Sequence, residues 1–209
     1  MALDYLKKIV KKYNYSHYPS AKTLFMSWVV VNYELEKYFQ IHKKYPKIVL
    51  GKPFGFYAIV YYYRIINDIT DNQMKSIFSL LNQYDFDGVL TFIQHNELKK
   101  LNYGDKFKKF INNIIYIDPT LGSAYTVAQG INDDCYVFIP DSYLQMGEFY
   151  EGLVINKLNK NKNITLFIDY NGSTKQNKIV LTIPEIEKLL KLFNQEVHII
   201  DTVEVKNEL

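Results

Sequence analysis

A chain of 209 residues with a 48% hydrophobic fraction is long enough to bury one substantial core. Its formal charge of only +3, carried by scattered lysines, offers no concentrated basic surface for nucleic acid. The one cysteine, Cys135, excludes an internal disulfide, and no apolar run is long and unbroken enough for a membrane span.

Residues 2–12 read as an amphipathic helix, with Leu3, Leu6, Ile9 and Val10 on one side. They lack the apolar core of a secretory leader, so a cytoplasmic location is expected. A polar, aromatic corner at 13–20 contains His17 and Pro19. Helix is expected again from about Ala21 to His42. Its first half, Leu24-Phe-Met-Ser-Trp-Val-Val-Val, is apolar almost all round, which predicts a buried helix. Residues 45–53 read as a loop around the short apolar run Ile48-Val-Leu. An apolar helix follows over 55–67. Its Tyr61-Tyr-Tyr run fits buried or interfacial rings better than a stacking platform.

An amphipathic helix is expected over 71–83, with Asp71 and Thr70 competing as its cap. Shorter helices follow over 85–101 and Asp105–Asn113, interrupted at Tyr103-Gly104. Ile114–Ile117 reads as a short strand or extended edge, then a turn leads to a small-residue helix over 124–132. Two apolar runs, 135–139 and 164–168, each end in a polar corner, and a helix over 147–158 separates them. That is a βαβ unit. Its geometry places Asp141 and Asn171 just beyond two parallel strand ends, the edge at which open parallel sheets bind ligands. Asp and Asn are also common turn formers there. Cys135 lies within the first run, where a buried, inert thiol is expected. Pro184 opens a helix over 185–193 with Thr182 as cap, and a last strand is expected over 195–200 before a charged tail. The whole reads as one α/β domain, 1–209, of three layers around a mostly parallel sheet. His42 and His95 are expected at the surface and His198 in the last strand; no metal-ligand spacing joins them.

Hard oxygen ligands such as Asp141 and Asn171 suit magnesium or calcium. The stretch Pro140-Asp-Ser-Tyr-Leu-Gln-Met-Gly-Glu-Phe-Tyr-Glu, followed by Asp169-Tyr-Asn-Gly, resembles the thiamine diphosphate motif of the transketolase family. That motif begins with Gly-Asp-Gly and ends with Asn about 30 residues on. Three further stretches match in order. Ser16-His17-Tyr18-Pro19-Ser20-Ala21 resembles the early Gly-His-x-Gly-x-Ser segment, and Ile48-Val-Leu-Gly-Lys-Pro-Phe-Gly the Ser-Lys-Gly-His-Gly segment. Pro119-Thr-Leu-Gly-Ser-Ala resembles the Gly-Ser-Leu-Gly-x-Gly segment near the cofactor.

The resemblance implies the diphosphate-binding fold and a set of site residues. Asp141 and Asn171 would hold magnesium together with the carbonyl of Ser173. Gly122, Asp141, Ser142, Leu144 and Asn171 would meet thiamine diphosphate, and His17 would be the catalytic histidine. The resemblance covers only the family's diphosphate-binding domain. The activating glutamate would therefore come from a separately encoded pyrimidine-binding partner in a hetero-oligomer, acting on sugars or sugar phosphates. The sequence departs from the family at both motif glycines, now Pro140 and Ser142, at the second histidine, now Phe54, and at Met146, Pro119 and Ala124. Pro140 removes a backbone donor and Ser142 adds a side chain. A relative that has kept the fold and lost the cofactor, or a divergent thiamine-dependent carboligase, are the alternative expectations.

Overall fold

A computed structural model describes residues 18–51, 56–81, 92–117, 122–160, 163–172 and 181–203. The predicted helix at 2–12, His17, Phe54, Pro119 and Ser173 lie outside the described residues. The chain divides into a helical unit and a sheet-bearing unit.

The helical unit holds α1 (Tyr18–His42), α2 (Phe56–Ile65), α3 (Asp71–Leu81), α4 (Phe92–Lys100) and α5 (Asp105–Asn113). Aromatic contacts join these helices. Trp28 of α1 meets Phe110 of α5 edge-on at 4.7 Å, and Tyr57 of α2 meets Phe78 of α3 at 4.7 Å. Tyr61 and Tyr63 are buried, as expected of core tyrosines. Two tyrosine tips meet one amide: buried Asn32 donates to the Tyr62 hydroxyl at 2.8 Å and accepts from the Tyr63 hydroxyl at 3.3 Å. Helix α1 differs from expectation in one respect. Leu24, Trp28, Val31 and Leu35 are buried, but Met26, Val29, Val30 and Tyr33 form an exposed stripe. The near-uniform apolarity of this run concealed an ordinary one-sided helix.

Local chemistry sets the helix starts. Thr70 wins the cap of α3: its hydroxyl accepts from the Gln73 N–H at 3.2 Å, and the Gln73 side chain accepts from the Thr70 N–H at 2.7 Å. The start of α5 is capped from a distance. Asp68 accepts the N–H groups of Lys106 and Phe107, at 3.2 and 2.6 Å. Gly104 lies so close to the Asp68 carbonyl that any Cβ there would overlap it.

His95, expected at the surface, is only 3% exposed. Its Nε2–H donates to the Ile111 carbonyl at 3.0 Å and ties α4 to α5. Burial outweighs that bond and holds the imidazole pKa below its usual range. Unfolding releases a histidine that takes up a proton more readily than the folded one. The contribution of His95 to stability is therefore fully present above a pH of about 6.5 and is lost as pH falls below it. Denaturant unfolding across this range checks the expectation, and His95→Gln should remove that part of the slope.

The sheet-bearing unit is built on five parallel strands in the order β2-β1-β3-β4-β5. They are β1 (Lys47–Leu50), β2 (Ile114–Ile117), β3 (Cys135–Pro140), β4 (Ile164–Tyr170) and β5 (Glu196–Asp201). The stretch read as a loop around Ile48-Val-Leu is thus strand β1, paired with both β2 and β3. Ile48, Val49 and Leu50 are all buried, so no alternation advertises the strand. The α/β class and parallel sheet are as expected, and the strand order is that of Rossmann-like open sheets. Helices α6 (Ala124–Gln129), α7 (Gly147–Asn159) and α8 (Ile183–Leu192) complete the unit. Helix α6 stops short of the predicted 132, with Gly130 as its C-cap.

Cys135, Val137, Ile139, Ile164, Leu166 and Ile168 point to one face of the sheet and pack with Tyr125, Phe149, Leu153 and Leu190. Cys135 is buried, and desolvation pushes its thiol up to about 12, so it is inert at neutral pH. Helices α6 and α7 approach closely at Gly152, where a Cβ would lie 2.8 Å from the Tyr125 ring. Thr182 and Glu185 form the capping box of α8. No helix among the described residues is long and apolar enough to cross a membrane.

Candidate functional site

The C-terminal edge of the sheet gathers the polar corners. Strands β3 and β4 pair in register from Cys135↔Ile164 to Pro140↔Asp169, so both strands end side by side. Chain direction then changes at both ends. After Pro140 the chain enters a 3-10 helix, Asp141–Gln145. After β4, Gly172 takes a left-handed φ of +72°, a conformation that favours glycine.

These turns bring Asp141 and Asn171 together across 30 residues of sequence. Oδ2 of Asp141 accepts two consecutive backbone N–H groups, from Asn171 at 2.8 Å and Gly172 at 2.9 Å. Asp141 is 1% exposed, so this pair of charge-assisted bonds offsets part of the cost of burying its carboxylate. The same bonds fix the plane of the carboxylate. A strand-end Asp is commonly a local turn former, but here its acceptor bonds reach to the neighbouring strand's loop.

A second carboxylate stands near the end of β4. Asp169, opposite Pro140 in the ladder, is fully buried, and the Thr202 hydroxyl donates to its Oδ1 at 3.0 Å. The segments 140–146, 169–172 and 201–203 contain no lysine or arginine. The field there is negative enough to reach Tyr170. Its phenol is pushed up first by burial and then by the charges of Asp141, Asp201 and Glu185.

The other expected site residues fall around this corner in different ways. Ser142 is half-buried in the 3-10 helix. Leu144 has its side chain in the apolar core, and its carbonyl accepts the Tyr150 hydroxyl at 2.7 Å. Gly122 has φ +125°, and a Cβ there would lie 2.5 Å from Glu148 Oε2 and 3.6 Å from Met146 Sδ. It therefore borders the start of α7. Glu148, in the first turn of α7, complements the positive end of that helix.

Sequence reasoning missed the neighbouring crevice. Strand order reverses between β1 and β3, the point at which Rossmann-like sheets hold ligands. Here a buried ring fills the space beyond β1. A Cβ on Gly51 would lie 2.7 Å from the Tyr143 hydroxyl and 2.7 Å from Ile139 Cγ2. The helical unit has an open cleft of about 520 Å³ lined by Arg64, Asn67, Ile69, Thr70, Asp71 and Asn72. Arg64 is already bonded there to Asp71 at 2.5 Å and to Asn67 at 3.1 Å.

Among the described residues, no group of three or more His, Cys, Asp or Glu side chains is arranged to hold a metal. The ligand set expected from the resemblance is of another kind: one carboxylate, one carboxamide and one backbone carbonyl. Of its two described members, Asp141 meets Asn171 through the Asn171 backbone N–H, in a corner that is acidic among the described residues. That donor chemistry fits a hard divalent cation. No family model, curated protein or solved structure matches the chain.

Proposed function

We propose that this chain is the diphosphate-binding subunit of a split, thiamine diphosphate-dependent transketolase-like enzyme. The juxtaposition of Asp141 and Asn171 at adjacent parallel strand ends supports this reading. In it, the Rossmann-like sheet belongs to the thiamine diphosphate-binding class. Asp141, Asn171 and the Ser173 carbonyl would hold Mg2+. The backbone around Gly122, Ser142 and Leu144 would border the diphosphate, whose charge the magnesium would offset in this acidic corner.

When bound, the cofactor supplies the electron sink that lets a carbon–carbon bond next to a ketose carbonyl break. This chain's residues bind and orient. Asp141, held by two amides, keeps its carboxylate in one plane, and His17 serves the sugar by hydrogen bonding or proton transfer. A separately encoded partner contributes the pyrimidine-binding surface and its glutamate in a hetero-oligomer.

A second reading has specific support. Tyr143 fills the crevice beside Gly51, Glu148 lies against Gly122, and Leu144 has its carbonyl engaged. These features suit a fold-retaining structural or regulatory subunit without cofactor. Calorimetry distinguishes the two, with this chain alone and with a pyrimidine-binding partner. The first reading expects magnesium-dependent heat from thiamine diphosphate. Silence in both states sinks it in favour of the second.

A further inference from the structure

We infer that Thr202 is a positioning residue for the cation corner, acting through Asp169 and the Asn171-Gly172 turn; this rests on the reading of that corner as a magnesium site. The turn carries the expected ligand Asn171, and its two amides fix Asp141. Those bonds hold it from the β3 side only.

The end of β5 holds it from the other side. Past the last β5 residue, the Thr202 N–H donates to the Tyr170 carbonyl at 2.8 Å, extending the parallel ladder by one bond. The Thr202 hydroxyl lies 3.0 Å from Asp169 Oδ1 and 3.1 Å from the Tyr170 carbonyl. A hydroxyl has one proton. The Tyr170 carbonyl already accepts the Thr202 amide, and the carboxylate is the stronger acceptor, so the proton goes to Asp169. Next along the chain, Val203 packs on Gly172, and a Cβ on that glycine would lie 3.1 Å from Val203 Cγ2. Val203 is itself tied back, its N–H donating to Asp201 at 3.0 Å.

Thr202 is 1% exposed and Asp169 fully buried, so water does not substitute readily for the bond between them. The ends of β3, β4 and β5 thus form one lock around a two-residue turn. The lock spans the corner, and Thr202 joins it through Asp169 and the Tyr170 carbonyl, without touching Asp141 or Asn171 in any bond shown. Second-sphere partners of metal ligands commonly contribute about 10–100-fold to affinity.

The test is amide hydrogen exchange on the chain, together with calorimetry. Thr202→Val should raise exchange at Asn171 and Gly172 about tenfold more than at the β3 amides, because the opening is local. Thr202→Ser, which keeps the hydroxyl, should restore wild-type protection. Magnesium–thiamine diphosphate affinity should fall about tenfold in the valine variant and return with serine. A uniform rise across the sheet, or no change at the turn, overturns the inference. Should Thr202→Val not fold, the wild type decides. The Asn171, Gly172 and Thr202 amides should then exchange through one common opening, and independent openings refute the lock. A wild type that keeps the locked turn but binds no cofactor overturns the magnesium reading while leaving the mechanical lock in place.

Discussion

Asp141→Ala is expected to abolish magnesium-dependent cofactor binding and to destabilise the fold by about 2–4 kcal/mol. Both effects come from one side chain. The carboxylate is the acceptor for the Asn171 and Gly172 amides, and alanine leaves two half-buried donors without it. Removing a buried charge offsets part of that loss, which keeps the figure below the sum of two orphaned donors. Asp141→Asn separates the roles. Its carboxamide oxygen still accepts from the turn, so stability should fall by only about 1 kcal/mol, the loss of charge assistance. On the proposed reading, a bound cation would lose a full negative charge and should bind at least tenfold more weakly. Denaturant unfolding and calorimetry on the two variants check this. If Asp141→Asn binds magnesium and cofactor like the wild type, Asp141 is a structural acceptor and the corner is not a cation site.

The meeting of Asp141 and Asn171 was legible in the sequence because a single crossover links them. Two apolar runs with one helix between them make adjacent parallel strands, and the polar residues that follow must share an edge. Strand β1 was not legible for the opposite reason. Its four residues pair with β2 and β3, whose partners begin at Ile114 and Cys135, and burial on both faces erases the period of two. The lock around Gly172 was hidden in the same way: Asp169 and Thr202 meet only through the register of β4 with β5. His95 sits in the polar run Gln94-His95-Asn96, and only its packing with α5 shows why it is buried. Chemistry within four residues fared better. The Thr182 cap and Pro184 were both read correctly, because a capping box is complete within its own turn.

Tyr143→Ala should cost about 3–5 kcal/mol, the range for deleting a buried aromatic ring, and thermal unfolding should register it directly. Tyr143 is fully buried among Val49, Ile139, Leu144 and Phe149, at the point where strand order reverses. Gly51 lets the ring approach the end of β1, since a Cβ there would press on both Tyr143 and Ile139. The two positions should therefore be coupled. Gly51→Ala alone should cost about 1–3 kcal/mol by overpacking. In the Tyr143→Ala background the methyl faces a cavity and should cost about 1 kcal/mol less, the remainder being its contact with Ile139. Additive losses would show that the ring does not set the space above β1. The cycle also bears on function, because this crevice is where an open parallel sheet would otherwise receive a ligand. Coupling identifies the ring as the occupant of that space, and the proposed cofactor reading then rests on the β3–β4 corner. That makes Asp141 and Asn171, rather than the reversal point, the positions on which a cofactor-binding function stands or falls.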